Sequence, residues 1–151
     1  MELQAGWKPA PPDTPLAVLD TNVVLALYWF RDARLGPLAA ALEAAQLEWV
    51  STGPMRQELA HVLAQGRLPV GQAGVAAPLL ACDRLTRQAP APQGLRSWPR
   101  CTDEDDQKFV DLAIGAGAAW LLTRDRAVLK LRHKVRALSG CQVLRPEDWS
   151  P

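Results

Sequence analysis

Four short apolar runs set the strongest limit on how this chain can fold. They are Leu16 to Leu19, Leu47 to Val50, Ala118 to Thr123 and Cys141 to Leu144. Each has the length of a buried strand and is too short for a helix that crosses a core. Helical patterns lie between them. One runs from Asn22 to about Phe30, and a second from Asp32 to Gln46, with Leu35, Leu38, Leu42 and Ala45 spaced by threes and fours. A third starts at Pro54, which suits a first helical position, and ends near Gln65, before Gly66. Val70 to Gln88 reads as an Ala-rich helix weakened by Gly71, Gly74 and Pro78, and Ala89 to Arg100 as a Pro-rich loop. Thr102 to Ala116 has the clearest helical pattern, with acids in its first turn and Gly115 and Gly117 at its end. Arg126 to Leu131 predicts a short last helix. Strands that alternate with helices predict βαβ units, hence an α/β fold with a parallel sheet covered on both faces.

A chain of 151 residues that is 48% apolar is large enough for one domain with its own core and too apolar for disorder. Residues 1–15, with Pro9, Pro11, Pro12 and Pro15, read as a flexible tail without an apolar signal core, and residues 16–151 as the domain. No window holds 18 uninterrupted apolar residues, so neither a membrane-spanning helix nor a membrane partner is expected. Cys82, Cys101 and Cys141 are odd in number, widely spaced and form no CxxC pair. This argues against a disulfide framework or a zinc site, and for reduced thiols in a cytoplasmic protein. The net charge of +1 selects no partner by itself.

The acids are less ordinary. In parallel α/β sheets, sites form beyond the carboxyl ends of the strands. Carboxylates from four separate segments fall there. Asp20 directly follows the first apolar run, and Asp125 follows the run ending at Thr123 with one residue between. Glu58 shares the apolar face of its helix with Met55, Leu59, Val62 and Leu63. Thr102, Asp103, Glu104, Asp105 and Asp106 open the late helix. Some of these have an ordinary explanation. Asp103, Glu104 and Asp105 suit a helix dipole, and Thr102 with Asp105 suits a cap. Asp106 shares the stripe of Phe109, Val110 and Ala113, while Asp105 pairs by spacing with Phe109 and Leu112, so position alone does not separate the two. Glu58 taken alone suits a satisfied structural residue, paired with Arg56 or another Arg.

Several unpaired carboxylates aimed at one edge repel one another and resist ionisation unless a cation joins them. Hard oxygen donors, with few His and no suitable Cys, select Mg²⁺ or Mn²⁺ over Zn²⁺. Such an ion lowers the pKa of its bound water and neutralises charge on a phosphate, which makes phosphodiester hydrolysis the natural chemistry. Asn22 and Thr123 supply neutral polar groups beside Asp20 and Asp125.

The segments LDTNVVLALY, MRQELAHVL and TDEDDQKFVDLAIGAGAAWLLTRD, with the ending VLRPEDW, together resemble the PIN-domain family. The resemblance is to its prokaryotic branch of VapC-like toxins of toxin–antitoxin systems, and it covers Leu16 to Trp149. It implies a three-layer α/β/α sandwich around a parallel sheet of about five strands. It also implies a metal-dependent ribonuclease whose catalytic acids and Mg²⁺ or Mn²⁺ ligands are Asp20, Glu58, Asp106 and Asp125. The spacing to Ala113 favours Asp106 over Asp105 for the third acid. Thr21, Asn22 and Thr123, with Asp105, fall on supporting positions. The partners implied are an RNA substrate, a cognate antitoxin protein that covers the cleft, and a second copy of the chain in a homo-oligomer.

The chain departs from this pattern in two places. Many relatives carry a second acid two residues after the T-x-D aspartate, where this chain has Ala127. Its absence would lower metal affinity or leave a second ion to arrive with substrate. Tyr28, Trp29 and Phe30 form an unusually bulky run, suited to a self-association interface or to the core. Arg124, Arg126, Lys130 and Arg132, with His133, Lys134 and Arg136, make a basic run beside Asp125. It suits an RNA backbone as well as it suits a solvated helix and loop. Arg31 and Arg34 offer a second basic edge. Trp29 and Trp98, in expected loops or helix ends, are candidates to stack on bases, whereas Trp49 and Trp120 belong to strands and the core. Two other functions stay open: a PIN-fold module that binds RNA or protein without cutting, and a different α/β phosphotransfer enzyme. For the latter, Asn22 stands where a haloacid-dehalogenase-like phosphatase needs its second Asp.

Overall fold

The computed structural model describes residues 14–69, 76–94 and 97–151. Its sheet has five strands: β1 (Leu16–Leu19), β2 (Glu48–Ser51), β3 (Thr86–Gln88), β4 (Trp120–Leu122) and β5 (Gln142–Leu144). They run in the order β3-β2-β1-β4-β5, and every neighbouring pair is parallel. Helices α1 (Thr21–Tyr28), α2 (Gly36–Glu43), α3 (Gly53–Ala64) and α4 (Ala77–Leu85) come before the break in strand order. Helices α5 (Gln107–Gly115), α6 (Arg126–Leu129) and α7 (Arg132–Ser139) come after it.

The two faces of the sheet bury separate cores, as the alternation of side chains along a strand requires. Leu16 and Val18 of β1 join Val50, Leu121, Phe109 and Val135 on the face covered by α5 and α7. Ala17 and Leu19 join Trp49, Leu122, Val23, Leu38 and Leu59 on the face covered by α1, α2 and α3. This is the expected three-layer α/β/α sandwich. Because β1 is buried on both faces, its four residues are apolar without alternation.

Chain order places the site. The strands build outward from β1 through β2 to β3, then the chain returns to lay β4 on the other side of β1. Such a reversal opens a crevice beyond the carboxyl ends of the two strands that flank it. Here those ends are Leu19 and Leu122, which are paired in register. Asp20 and Thr123 follow them directly.

Several expectations needed correction. Thr86–Gln88, expected as the end of a helix, is edge strand β3, held by backbone pairing to Trp49, Val50 and Ser51. A polar edge strand shows no apolar pattern because it has little to bury. The rest of that expected helix is α4, which begins at Ala77, and residues 70–75 lie outside those described. The helix expected from Asp32 opens instead with a 3₁₀ turn, Ala33–Leu35, and becomes α-helical at Gly36. The late helix likewise starts at Gln107, after a 3₁₀ turn over Glu104–Asp106 capped by Asp103 rather than Thr102. The end of the basic run folds as α7, unrecognised because Val135 is its only buried residue. Trp29 and Trp98 are buried, and Trp29 Nε1–H donates to the Pro69 carbonyl at 2.8 Å, so neither is presented to a base. Tyr28 stacks on Trp49 with ring centroids 6.1 Å apart, which leaves Phe30, 40% exposed, as the outward residue of that run. Of the expected tail, residues 1–13 lie outside those described.

Cys82, Cys101 and Cys141 are free and buried. Among the described residues no helix is long and apolar enough to cross a membrane. Helix α7 ends at Gly140, whose φ of 78° is left-handed. Nothing lies within 4 Å of where its Cβ would stand. Gly140→Ala is therefore expected to act through backbone strain alone. It should cost about 1 kcal/mol and lower Tm by roughly 2–4 °C in a thermal melt.

Candidate active site

Asp20 sits in the crevice as the cap of α1 and is only 5% exposed. Val23 N–H donates to its Oδ1 at 3.0 Å, and the Thr123 hydroxyl donates to its Oδ2. Thr123 in turn accepts from Asp125 N–H at 3.0 Å, so one buried hydroxyl ties the end of β1 to the turn after β4. Asp125 caps α6, accepting from Ala127 N–H at 2.7 Å through Oδ1. Capping therefore accounts for one oxygen of each of these aspartates. It does not account for their proximity.

Asp103, Asp106 and Asp125 each offer a carboxylate oxygen, and these oxygens lie within 4.8 Å of one another. Burial first, then a hydrogen bond and charge from Asp125, then the charges of Asp103 and Asp20, push the Asp106 carboxyl up to about 7. Burial also raises Asp20, with the Asp125 charge adding to it, against the lowering effect of its bonds from Thr123 and Val23. No Lys or Arg lies within ion-pair distance of Asp20, Asp103, Asp106 or Asp125 among the described residues. Carboxylates gathered without a cation share protons and raise one another's pKa. An all-oxygen donor set of this size suits a hard divalent cation. The residues present thus fit such an ion.

A family model described as the PIN domain matches residues 17–127. The chain belongs to the PIN-domain family. Compared with curated proteins, it has no match. PIN domains are generally nucleases, and in this one the match takes in Asp20, Glu58, Asp106 and Asp125 together with the acidic cluster.

The remaining sequence-derived positions are distributed unevenly around this carboxylate group. Glu58, on α3, stands outside the three-carboxylate group, bonded to the Thr21 hydroxyl through Oε2 and to Lys108 through Oε1. Asn22 is exposed, and only its backbone N–H acts on Asp20. Asp105 is exposed too, and its backbone carbonyl, not its carboxylate, meets Lys108. Asp103, expected only to complement a helix dipole, caps the turn by accepting from Asp105 N–H at 3.0 Å. It nonetheless belongs to the carboxylate group, and its spacing of three from Asp106 was the available signal. Ala127 packs partly buried against the core.

The basic residues divide into two sets. Arg124 donates to Glu147 and to Asp32, each at 3.0 Å, and Asp32 also holds Arg34 at 2.7 Å. The Arg34 and Arg124 guanidinium groups hold the Asp32 carboxyl well below the usual carboxylate range. Arg126, Lys130 and Arg132 instead line an open cavity of about 350 Å³ with Arg145 and Asp148. None of those four cations forms an ion pair among the described residues.

Proposed function

We propose that this PIN domain is a Mg²⁺- or Mn²⁺-dependent endoribonuclease, acting as the toxin of a toxin–antitoxin pair. The observation that carries the reading is the gathering of Asp103, Asp106 and Asp125 at the sheet's carboxyl edge, beside Asp20, without a cation from the chain. Asp20, Glu58, Asp106 and Asp125 are the catalytic acids of this reading, with Asp103 added to the group that would hold metal. Thr123 orients Asp20 and Asp125, and Thr21 orients Glu58. Once bound, the cation would supply an activated water and neutralise charge on the scissile phosphate. The chain's own part is to hold the acids rigidly at strand ends and to guide the substrate. Arg126, Lys130 and Arg132, joined by Arg145, lie around one cavity close in sequence to Asp125, and they suit backbone phosphates of a single strand. Arg124, bound to two carboxylates, braces that edge. An antitoxin would act by covering this crevice, and a second copy of the chain remains a partner to test.

The test is cleavage of an unstructured RNA by purified protein with Mn²⁺ and with EDTA. Cutting that requires Mn²⁺ supports the reading, and cutting that persists in EDTA sinks it. The second reading, an RNA- or protein-binding module that does not cut, is favoured by Ala127. It predicts retention of RNA without products under both conditions.

A further inference from the structure

Among the described residues, positive charge is supplied to this acidic site in one place only. Lys108, in the first turn of α5, donates to Glu58 Oε1 at 2.7 Å and to the Asp105 carbonyl. Its ammonium also lies 4.8 Å from the centroid of the Phe109 ring. Two acceptors and a ring face fix a side chain that, on a solvated helix, would extend into water. Lys108 is accordingly only 29% exposed and Glu58 30%. With the Thr21 hydroxyl on Oε2, both oxygens of Glu58 are already engaged. The allocation is uneven. Among the described residues, Glu58 is given a cation and a hydroxyl, whereas Asp20, Asp103, Asp106 and Asp125 are given no cation.

We infer that Lys108 is a positioning residue that keeps Glu58 out of the metal group and supplies the site's fixed positive charge, so that the site takes one divalent cation. The inference rests on the metal-dependent reading proposed above and assigns Glu58 a different part in it. Lys108 also fixes the α3–α5 distance through one charge-assisted bond, in place of a shared ion.

Calorimetry with Mn²⁺ on the intact chain tests this, with a thermal melt of each variant to establish folding. Wild type is expected to bind one Mn²⁺. Glu58→Gln is expected to keep that stoichiometry and an affinity within about twofold, whereas a metal ligand would lose about tenfold or more. Lys108→Met frees Glu58 and is expected to tighten Mn²⁺ binding by about tenfold while RNA cleavage falls. Lys108→Arg should bind as wild type does, and the double variant Lys108→Met/Glu58→Gln should return to wild-type affinity. Mn²⁺ binding by wild type with a tenfold loss in Glu58→Gln overturns the inference and leaves the proposed function standing. Unchanged affinity in folded Lys108→Met overturns it as well. Should neither wild type nor Lys108→Met take up Mn²⁺, the inference and the proposed function fall together.

Discussion

Asp20→Asn is expected to lower Mn²⁺-dependent RNA cleavage by about 10²- to 10³-fold without unfolding the protein. The substitution keeps the volume of a side chain that is almost fully buried at the end of β1. It also keeps an oxygen for Val23 N–H, and Asn caps a helix about as well as Asp. It removes the negative charge that Asp20 contributes behind Asp106 and Asp125, and it turns the Oδ2 that accepts from the Thr123 hydroxyl into an amide donor. Relief of the buried charge offsets the disturbed Thr123 bond, so the melting temperature should stay close to that of wild type. Single-turnover cleavage of a labelled RNA, measured beside a thermal melt, separates the two effects. Equal cleavage by both proteins would identify a contaminating nuclease and remove the catalytic assignment.

The second large effect is on stability. Mn²⁺ at about 100 times its Kd should stabilise the fold by about 2.7 kcal/mol, or roughly 5–11 °C in a domain of this size. The metal-free protein should show the opposite trend with pH. The Asp106 carboxyl is pushed up to about 7, so between about pH 4 and pH 7 the native state holds a proton that the unfolded chain has released. Stability therefore falls as pH rises through that window, and the full penalty stands above pH 7. Because Asp106 is partly solvated, the penalty is roughly 1 kcal/mol after screening by water. Asp106→Asn should weaken the pH trend and leave the part carried by Asp20, raise the metal-free Tm by roughly 2–4 °C at pH 8, and abolish most of the Mn²⁺ response. Thermal melts over pH 4–8, with and without Mn²⁺, read all three. A full Mn²⁺ response in Asp106→Asn would place the ion elsewhere.

How much of this was legible in the sequence depended on what each residue had to bury. The apolar runs at β1, β2 and β4 were legible because central parallel strands must be apolar on both faces, and edge strand β5 showed through the buried Cys141 and Val143. Strand β3 and helix α7 were invisible for the same reason inverted: one is a polar edge and the other buries Val135 alone. The positions of Asp20 and Asp125 were legible from their place after strand ends. Asp103 was hidden by a sufficient local explanation, since it truly caps the turn before α5 while also facing Asp106 and Asp125. The Lys108–Glu58 pair was beyond any local pattern, because fifty residues separate its partners and only the packing of α3 near α5 brings them together. Trp29 and Trp98 misled because a position at a helix end or in a loop does not fix exposure, and both fill the core.

The account's central claim is that carboxylates at the ends of β1 and β4 and in the turn before α5 gather to hold a divalent cation. A crystal grown with Mn²⁺, measured at the manganese absorption edge, tests it most directly. The account predicts one anomalous peak at coordination distance from Asp106 and Asp125, with Asp103 or Asp20 completing the protein ligands. A well-ordered site without such a peak, at Mn²⁺ concentrations that support RNA cleavage, would contradict it.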